Sequence, residues 1–438
     1  MKKYDEYKDS SVPWIGEIPK DWEVKKLKYF STQNDDVLSE NTNTDYTFRY
    51  IDIGSVSFEQ GIENYQEMTF ENAPSRARRI VNKGDVIVST VRTYLKAVAY
   101  IQDDNDVIVS TGFAVIRPLD VFDRYMKYLM LDNYFVERVS SLSTGVSYPA
   151  INCSTMANIP CVLPPKEIQH SIADYLDKKT SAIDSLIEDK QKLIELLKEK
   201  RQAIISEAVT KGLDKNAKMK DSGIEWIGEI PEEWEVRKFN DLCIRITDFV
   251  ASGSFASLRE NVQYYDNENY AMLIRTMDVS NKNNNITHVY IDETAYNFLK
   301  NSNLYGGEII LPNIGASVGD VYIVPNLYER MSLAPNSIMF KTLYEDMYYY
   351  YYFSSTYGRN ALIQISQSAA QPKFNKTALR QLKVLAPFVD VQKEIVSYLN
   401  KETNKVDNLV VDITAQIEKL KEYRQAIISE AVTGKVAI

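Results

Sequence analysis

The chain repeats itself, and the repeat restricts its fold more than any other feature. The string Arg-Gln-Ala-Ile-Ile-Ser-Glu-Ala-Val-Thr fills residues 201–210 and again 424–433. A second string, Trp-Ile-Gly-Glu-Ile-Pro-Lys-Asp-Trp-Glu-Val at 14–24, returns as Trp-Ile-Gly-Glu-Ile-Pro-Glu-Glu-Trp-Glu-Val at 226–236. The tryptophan strings are offset by 212 and the others by 223, so the second intervening region is longer by a net 11 residues. The 223 offset also holds upstream of the helical string. Pro149 matches Pro372, Asn152 matches Asn375 and Pro164 matches Pro387, while Tyr125, Tyr128 and Tyr134 match Tyr348, Tyr351 and Tyr357. A frame kept alike around divergent sequence implies one domain built twice with different surfaces.

Each divergent region reads as mixed α and β. In the first, Val, Ile and aromatic residues predict strands over 50–53, 85–91, 97–101 and 113–116. Turn signals at 82–85 and 103–106 punctuate them, and a helix is expected over 123–140. The second predicts strands over 308–312, 321–324 and 337–341 and a helix over 345–358. Gly306-Gly307 reads as a turn, and the tyrosine run 348–352 reads at least in part as core packing.

After Pro164-Pro165, and again after Pro387, the pattern turns helical, with no Gly or Pro until Gly212 and Gly434. The second copy carries an apolar stripe of Val406, Val410, Ile413, Ile417, Leu420, Arg424, Ile427 and Ala431, a heptad spacing. The first runs Ile183, Ile187, Lys190, Ile194, Leu197, Arg201, Ile204 and Ala208. Long helices with one apolar stripe need a partner to bury it, and the other copy, running antiparallel, is the expected one. Helix two would then end beside Trp14, giving approximate two-fold symmetry from a single chain. Arg201 and Arg424 interrupt the stripe at equivalent places, either setting register or snorkelling their stems.

These elements give an α+β fold: two tandem mixed α/β domains joined by two long antiparallel coiled-coil helices, pseudo-two-fold symmetric. The expected divisions are 1–163, 164–212, 213–386 and 387–438. Composition agrees, since 438 residues allow two or three domains, and 45% hydrophobic with 25% charged residues is globular. Cys153, Cys161 and Cys243 are too few and too scattered for a disulfide framework or a zinc site. The charged N-terminus lacks a signal-peptide core, and no apolar run reaches membrane-spanning length, so a cytoplasmic location is expected. A net charge of −9 argues against nucleic-acid binding by the chain alone through a basic surface. It leaves room for a local basic patch and for phosphate contacts supplied by a partner.

The repeated tryptophan motif, the Leu-Pro-Pro-Lys-Glu-Ile-Gln lead-in at 163–169 and the string at 198–212 resemble the specificity subunit of type I restriction–modification systems. The second lead-in departs from the motif, reading Ala-Pro-Phe-Val-Asp-Val-Gln at 386–392, and the second helix ends in Thr-Gly-Lys. The resemblance implies two target recognition domains, each reading half of a split, asymmetric double-stranded DNA site. It implies helices that set the gap and dock two methyltransferase subunits, which methylate adenine N6. S-adenosylmethionine would be bound by that partner, with no cofactor on this chain, and a motor and nuclease subunit joins where the system also cuts. A coiled-coil interaction scaffold without DNA reading is the alternative.

The residues carry no recognisable catalytic apparatus of their own. The base-holding Asn- or Asp-Pro-Pro-aromatic loop of amino-methyltransferases is missing, as is a phosphate loop. His170 and His288 stand in unrelated contexts, and the carboxylates form no nuclease pattern or metal site. A non-catalytic reader is therefore expected. Base reading needs Arg, Lys, Asn or Gln on elements that fit the major groove, and phosphate contacts add Ser, Thr and Tyr. In the first region these criteria select Arg76, Arg78, Arg79, Arg92, Tyr94, Lys96, Ser147 and Tyr148. In the second they select Arg275, Asn313, Ser317, Gln367, Gln371 and Lys373. Helix pairing and subunit docking are assigned to Ile183, Ile187, Ile194, Leu197, Ile204, Val406, Val410, Ile417, Leu420 and Ile427. From Ile183 to Ala208 is 25 residue steps, roughly 38 Å of helix. That separation suits half-site centres about 11 base pairs apart, with an unread gap of roughly 6–8.

Overall fold

The computed structural model describes residues 3–103, 105–280, 286–366 and 371–438. It divides the chain into two units, Met1–Gln191 with Thr414–Ile438 and Lys192–Ile413. The first long helix, Lys166–Lys211, gives its start to unit 1 and its end to unit 2. The second, Val389–Val432, does the reverse. Among the described residues no helix is long and apolar enough to cross a membrane.

Unit 1 contains two four-stranded sheets. One runs Val98–Tyr100, Val86–Ser89, Phe113–Pro118, Ser31–Gln33, all antiparallel. The other runs Gln66–Thr69, Thr47–Ile51, Val107–Ser110, Ala77–Ile80, with the middle pair parallel. Val-Ile-Val-Ser occurs in both, at 86–89 and 107–110, and every residue of each run is buried. Such β-branched runs suit inner strands covered on both faces.

Unit 2 repeats the plan. One sheet runs Cys243–Asp248, Ser337–Thr342, Ile309–Pro312, Tyr322–Ile323. The other runs Val289–Ile291, Ala271–Ile274, Met331–Leu333, Asn303–Leu304, again with a parallel middle pair. The expected strand over 321–324 shrinks to two residues, and that over 50–53 shifts to Thr47–Ile51, because Asp52 caps a short turn by accepting from the Ser55 amide.

Neither expected reader helix is continuous. The first splits into Asp123–Leu131 and Asn133–Ser141, the second into Asp346–Ser354 and Thr356–Gln364. The breaks fall at Asp132 and Ser355, 223 apart. Ser355 restarts its helix as an N-cap, its hydroxyl accepting from the Gly358 amide. Asp132 occupies the same place almost fully buried. Burial pushes its carboxyl up to about 6, while Ser429 and the amides of Tyr134 and Asn133 pull it back only in part. The tyrosine run sits where core packing puts it, with Tyr348, Tyr349 and Tyr352 fully buried.

The two repeated strings form the two sides of one joint, present once in each unit. In unit 2, Gly212 ends the first long helix at φ +75°, and a Cβ there would stand 3.2 Å from the Trp234 ring. In unit 1, Gly434 ends the second long helix at φ +72°, and a Cβ would stand 2.3 Å from Pro19 and 3.0 Å from Trp22. The Tyr7 hydroxyl donates to the Gly434 carbonyl (3.1 Å) and Lys435 Nζ to the Ile15 carbonyl (3.1 Å). At the other end of each helix, Gln169 Nε2 donates to the Pro164 carbonyl and Gln392 Nε2 to the Pro387 carbonyl, both at 2.9 Å. These glutamines quiet the carbonyl that each proline strands beside the first turn.

The long helices pack together with antiparallel sense. In unit 1, Asp184 faces Arg424 and Lys190 Nζ donates to Gln416 (2.7 Å). Arg424 Nε and Nη2 reach the two Asp184 oxygens at 2.8 and 3.4 Å. In unit 2, Arg201 grips Asp407 in the same fork, at 2.9 and 3.3 Å. Asp184 and Asp407 are themselves 223 apart, as are Arg201 and Arg424. Both arginines thus fix register through a two-pronged ion pair. Of the stripe residues, Ile183, Val406, Ile417 and Ile427 are buried, and Ile187, Ile194, Leu197, Ile204, Val410 and Leu420 are half-buried.

Candidate nucleic-acid interface

Two loops of unit 1 form one surface. The first leaves the strand Val86–Ser89 and turns through the short 3-10 helix Thr93–Leu95. The second is the hairpin over 144–150, closed by paired amide hydrogen bonds between Thr144 and Ala150, each 2.9 Å. Four contacts lock them together: the Val91–Ala150 bridge, the Ile151 amide donating to the Thr90 carbonyl, the Thr93 hydroxyl donating to Ser143 (2.7 Å), and the Arg92 guanidinium stacked 5.0 Å above the Tyr148 ring. A third loop supports them from below. The Thr90 amide and hydroxyl both donate to the Gly112 carbonyl (2.8 Å each). A Cβ at Gly112 would lie 2.6 Å from the Cδ1 tip of Ile53, so any other residue there has to push that side chain aside.

Unit 2 holds the same platform, 223 residues on. Ile314 bridges Lys373, and the Phe374 amide donates to the Asn313 carbonyl while Asn313 Nδ2 donates to the Phe374 carbonyl (2.8 Å). Gln371 replaces Tyr148, and its amide lies over Gly315 where the Tyr148 ring lies over Arg92. Ser317 stands half-buried on the turn at the place of Tyr94. Gln367 lies outside the described residues.

The backbone of the two first loops is also equivalent. Gly315 and Gly319 adopt φ +93° and +99°. At the matching places unit 1 has Arg92 and Lys96, at φ +51° and +52°. A residue with a Cβ pays about 1 kcal/mol for the left-handed region. Unit 1 therefore carries strain at two cationic residues where its twin uses glycine. Lys96 ion-pairs with Glu137. Arg92 is exposed, stacks on Tyr148 and has no carboxylate partner among the described residues.

The remaining candidates differ in availability. Arg76 is exposed and adjoins the platform, because its carbonyl accepts from the Thr111 amide beside Gly112. Arg78 folds over the Phe70 ring at 4.8 Å, and Arg79 is half-buried on the strand Ala77–Ile80. Arg275 is engaged within its own unit, by both oxygens of buried Asp278 (2.9 and 3.0 Å) and by the Thr287 carbonyl (2.7 Å). Burial pushes the Asp278 carboxyl up, but hydrogen bonds from Arg275 and His288 outweigh it and hold it below the usual carboxylate range. Ser147 and Tyr148 are exposed on the hairpin, and Gln371 and Lys373 are exposed on its counterpart.

Three further platform residues lie inside the candidate stretches 90–96 and 143–148 but outside the side chains selected from them. Thr93 is buried and clasps the loops together. Leu95 and Val146 stand out at the loop tips, 45% and 103% exposed. A search for hydrogen-bonding side chains has no means of selecting apolar ones. Among the described residues no group of His, Cys, Asp and Glu is placed to hold a metal ion.

Residues 19–196 and 231–419 match the family model described as the type I restriction modification DNA specificity domain. The chain is 23% identical to the type I restriction enzyme MjaVIII specificity subunit of Methanocaldococcus jannaschii, over 96% of this chain and 94% of that protein. It is 22% identical to the EcoKI specificity subunit of Escherichia coli, over 74% of this chain and 68% of that one. Among solved structures, a chain described under complex assembly and conformational transition of the type I R-M system superposes with a TM-score of 0.72 at 20% identity, covering 96% of this chain and 99% of its own. The HsdS subunit of Thermoanaerobacter tengcongensis gives 0.53 at 21% identity, covering 96% and 98%. At such identities the structures attest the fold alone.

Proposed function

This chain belongs to the type I restriction modification DNA specificity family and is the non-catalytic specificity subunit of such a system, and on that premise we propose that its two platforms each read one half of a split, asymmetric DNA site. The observation that carries the reading is the pair of equivalent loop platforms bearing different side chains. Arg92 and Tyr148 stand at the places taken in the twin by Gly315 and Gln371. Arginine pairs bidentately with guanine O6 and N7, and glutamine with adenine N6 and N7. Different side chains on one frame predict different half-sites. Arg76, Arg92, Tyr94, Lys96, Ser147 and Tyr148 form the first reading surface, with Arg78 and Arg79 at its edge. Asn313, Ser317, Gln371 and Lys373 form the second, and Arg275 and Gln367 are assigned to the same half-site from the sequence.

The readers are residues 1–163 and 213–386, and the helical segments 164–212 and 387–438 set the unread gap. The same helices dock two methyltransferase subunits, which hold S-adenosylmethionine and methylate adenine N6; a motor and nuclease subunit joins them for cleavage. Partner subunits would also supply phosphate contacts that a chain of net charge −9 does not. The free thiols of Cys153, Cys161 and Cys243 suit the reducing cytoplasm. The test is selection from a random duplex library by this chain assembled with its methyltransferase partner. A bipartite site with two unlike halves is expected, and a palindromic or undivided site overturns the proposal.

A further inference from the structure

The apolar tip of the unit 1 platform has no role in the hydrogen-bonding account above. Val146 is completely exposed, and on the same two loops Leu95 and Tyr148 are 45% and 65% exposed. A single exposed aliphatic residue needs no explanation. Here, however, the exposed residues share the surface that carries Arg92, and the backbone fixes their position. Gly145 takes φ +113°, and a Cβ there would stand 3.2 Å from the Tyr148 carbonyl, so the hairpin is tight. The Thr144–Ala150 bridge closes it and the Val91–Ala150 bridge ties it to the first loop. Val146 is therefore presented without the entropy cost of ordering a loose loop.

We propose that Val146 reads the 5-methyl group of a thymine in the half-site of unit 1, making that half-site dependent on an A·T pair at one fixed position. The inference rests on the reading of unit 1 as a DNA-recognition domain. Thymine is the base that offers an apolar group on the major-groove edge, and small aliphatic groups are what meet it. The alternative apolar role is a wedge between base steps, which Phe, Leu, Ile, Met and Pro fill. Valine branches at Cβ and ends one bond further on, too short to unstack a base pair while its backbone stays outside the groove. Arg92 on the same surface supplies the adjacent hydrogen-bond reading. The matching tip of unit 2 lies in residues outside those described, so the inference concerns unit 1.

The test uses this chain assembled with its methyltransferase partner. After the half-sites are determined, each thymine of the unit 1 half is replaced singly by deoxyuridine, which lacks only the methyl group. One replacement should weaken wild-type binding about fourfold, the value of one buried methyl. V146A, which removes both γ-methyl groups and so shortens the side chain, should bind the thymine and deoxyuridine duplexes equally, and V146T, which restores one γ-methyl group, should regain the preference. A unit 1 half-site without an A·T pair overturns the inference while leaving half-site reading intact. So does V146A that still senses the methyl group, or V146A that loses affinity equally on both duplexes while 2-aminopurine at the site reports lost unstacking, which assigns the wedge role. Failure to recover any split site defeats the underlying reading instead.

Discussion

At the scale of single residues, the left-handed cations of unit 1 make an unusual stability prediction. Glycine normally weakens a position relative to alanine. At φ +51° the order should reverse, because alanine keeps the backbone strain and glycine releases it. Arg92→Gly should therefore be more stable than Arg92→Ala by about 1 kcal/mol in urea unfolding, although both lose discrimination in the first half-site. Equal binding by Arg92→Gly and wild type would make the arginine structural. In the twin, Gly319→Ala should destabilise by more than 1 kcal/mol, roughly, because its Cβ would also press on Arg359 and Ile363 at 3.1 and 3.2 Å. Asp132 supplies a pH dependence. Burial raises its folded pKa to about 6, above an unfolded value near 3.9, so the native state binds the proton more tightly. Its stabilising share is complete below the unfolded value and is lost as pH rises through 6. Asp132→Asn should remove that slope and be more stable than wild type at pH 7.5 by about 3 kcal/mol. Urea midpoints at several pH values check it, and an unchanged slope would contradict it.

At the scale of elements, the helix pair is held by a buried stripe and two forked ion pairs. Arg424 is 14% exposed and Arg201 is 30% exposed. An Asp184/Arg424 double-mutant cycle should accordingly give about 1 kcal/mol of coupling, more than the Arg201/Asp407 cycle. Ile417→Asp places a charge at a residue only 5% exposed and should cost about 3 kcal/mol or more. Ile194→Asp, at a half-buried place, should cost less. The helices, their pairing and the repeat were all legible in the sequence, because heptad spacing and glycine stops are local signals that tertiary packing reinforces. The breaks at Asp132 and Ser355 were not, since an N-cap in mid-pattern looks like one more polar residue on an amphipathic helix. The platform was legible only through its polar members. Its lock, Thr93 to Ser143, joins residues 50 apart in sequence, and no periodicity reports such a contact. Nor did the residue string disclose that Arg92 stands at a glycine's place, which depends on φ.

At the scale of the whole molecule, duplication explains which residues stayed alike and which diverged. The repeated strings build the joint between a tryptophan segment and a helix end in each unit, and the lead-in glutamines build the opposite helix start. Both are structural obligations that either copy must meet. The loop platforms keep their hydrogen-bond skeleton but exchange their outward side chains, the division of labour expected of two readers on one frame. The direct test of that claim is methylation-sensitive sequencing of cells carrying wild type, Arg92→Gly or Gln371→Ala. Wild type should mark N6-methyladenine at one split motif. Arg92→Gly should relax one half and Gln371→Ala the other, each leaving the opposite half and the spacing unchanged. Relaxation of the same half by both variants, or of both halves by either, would contradict two independent readers.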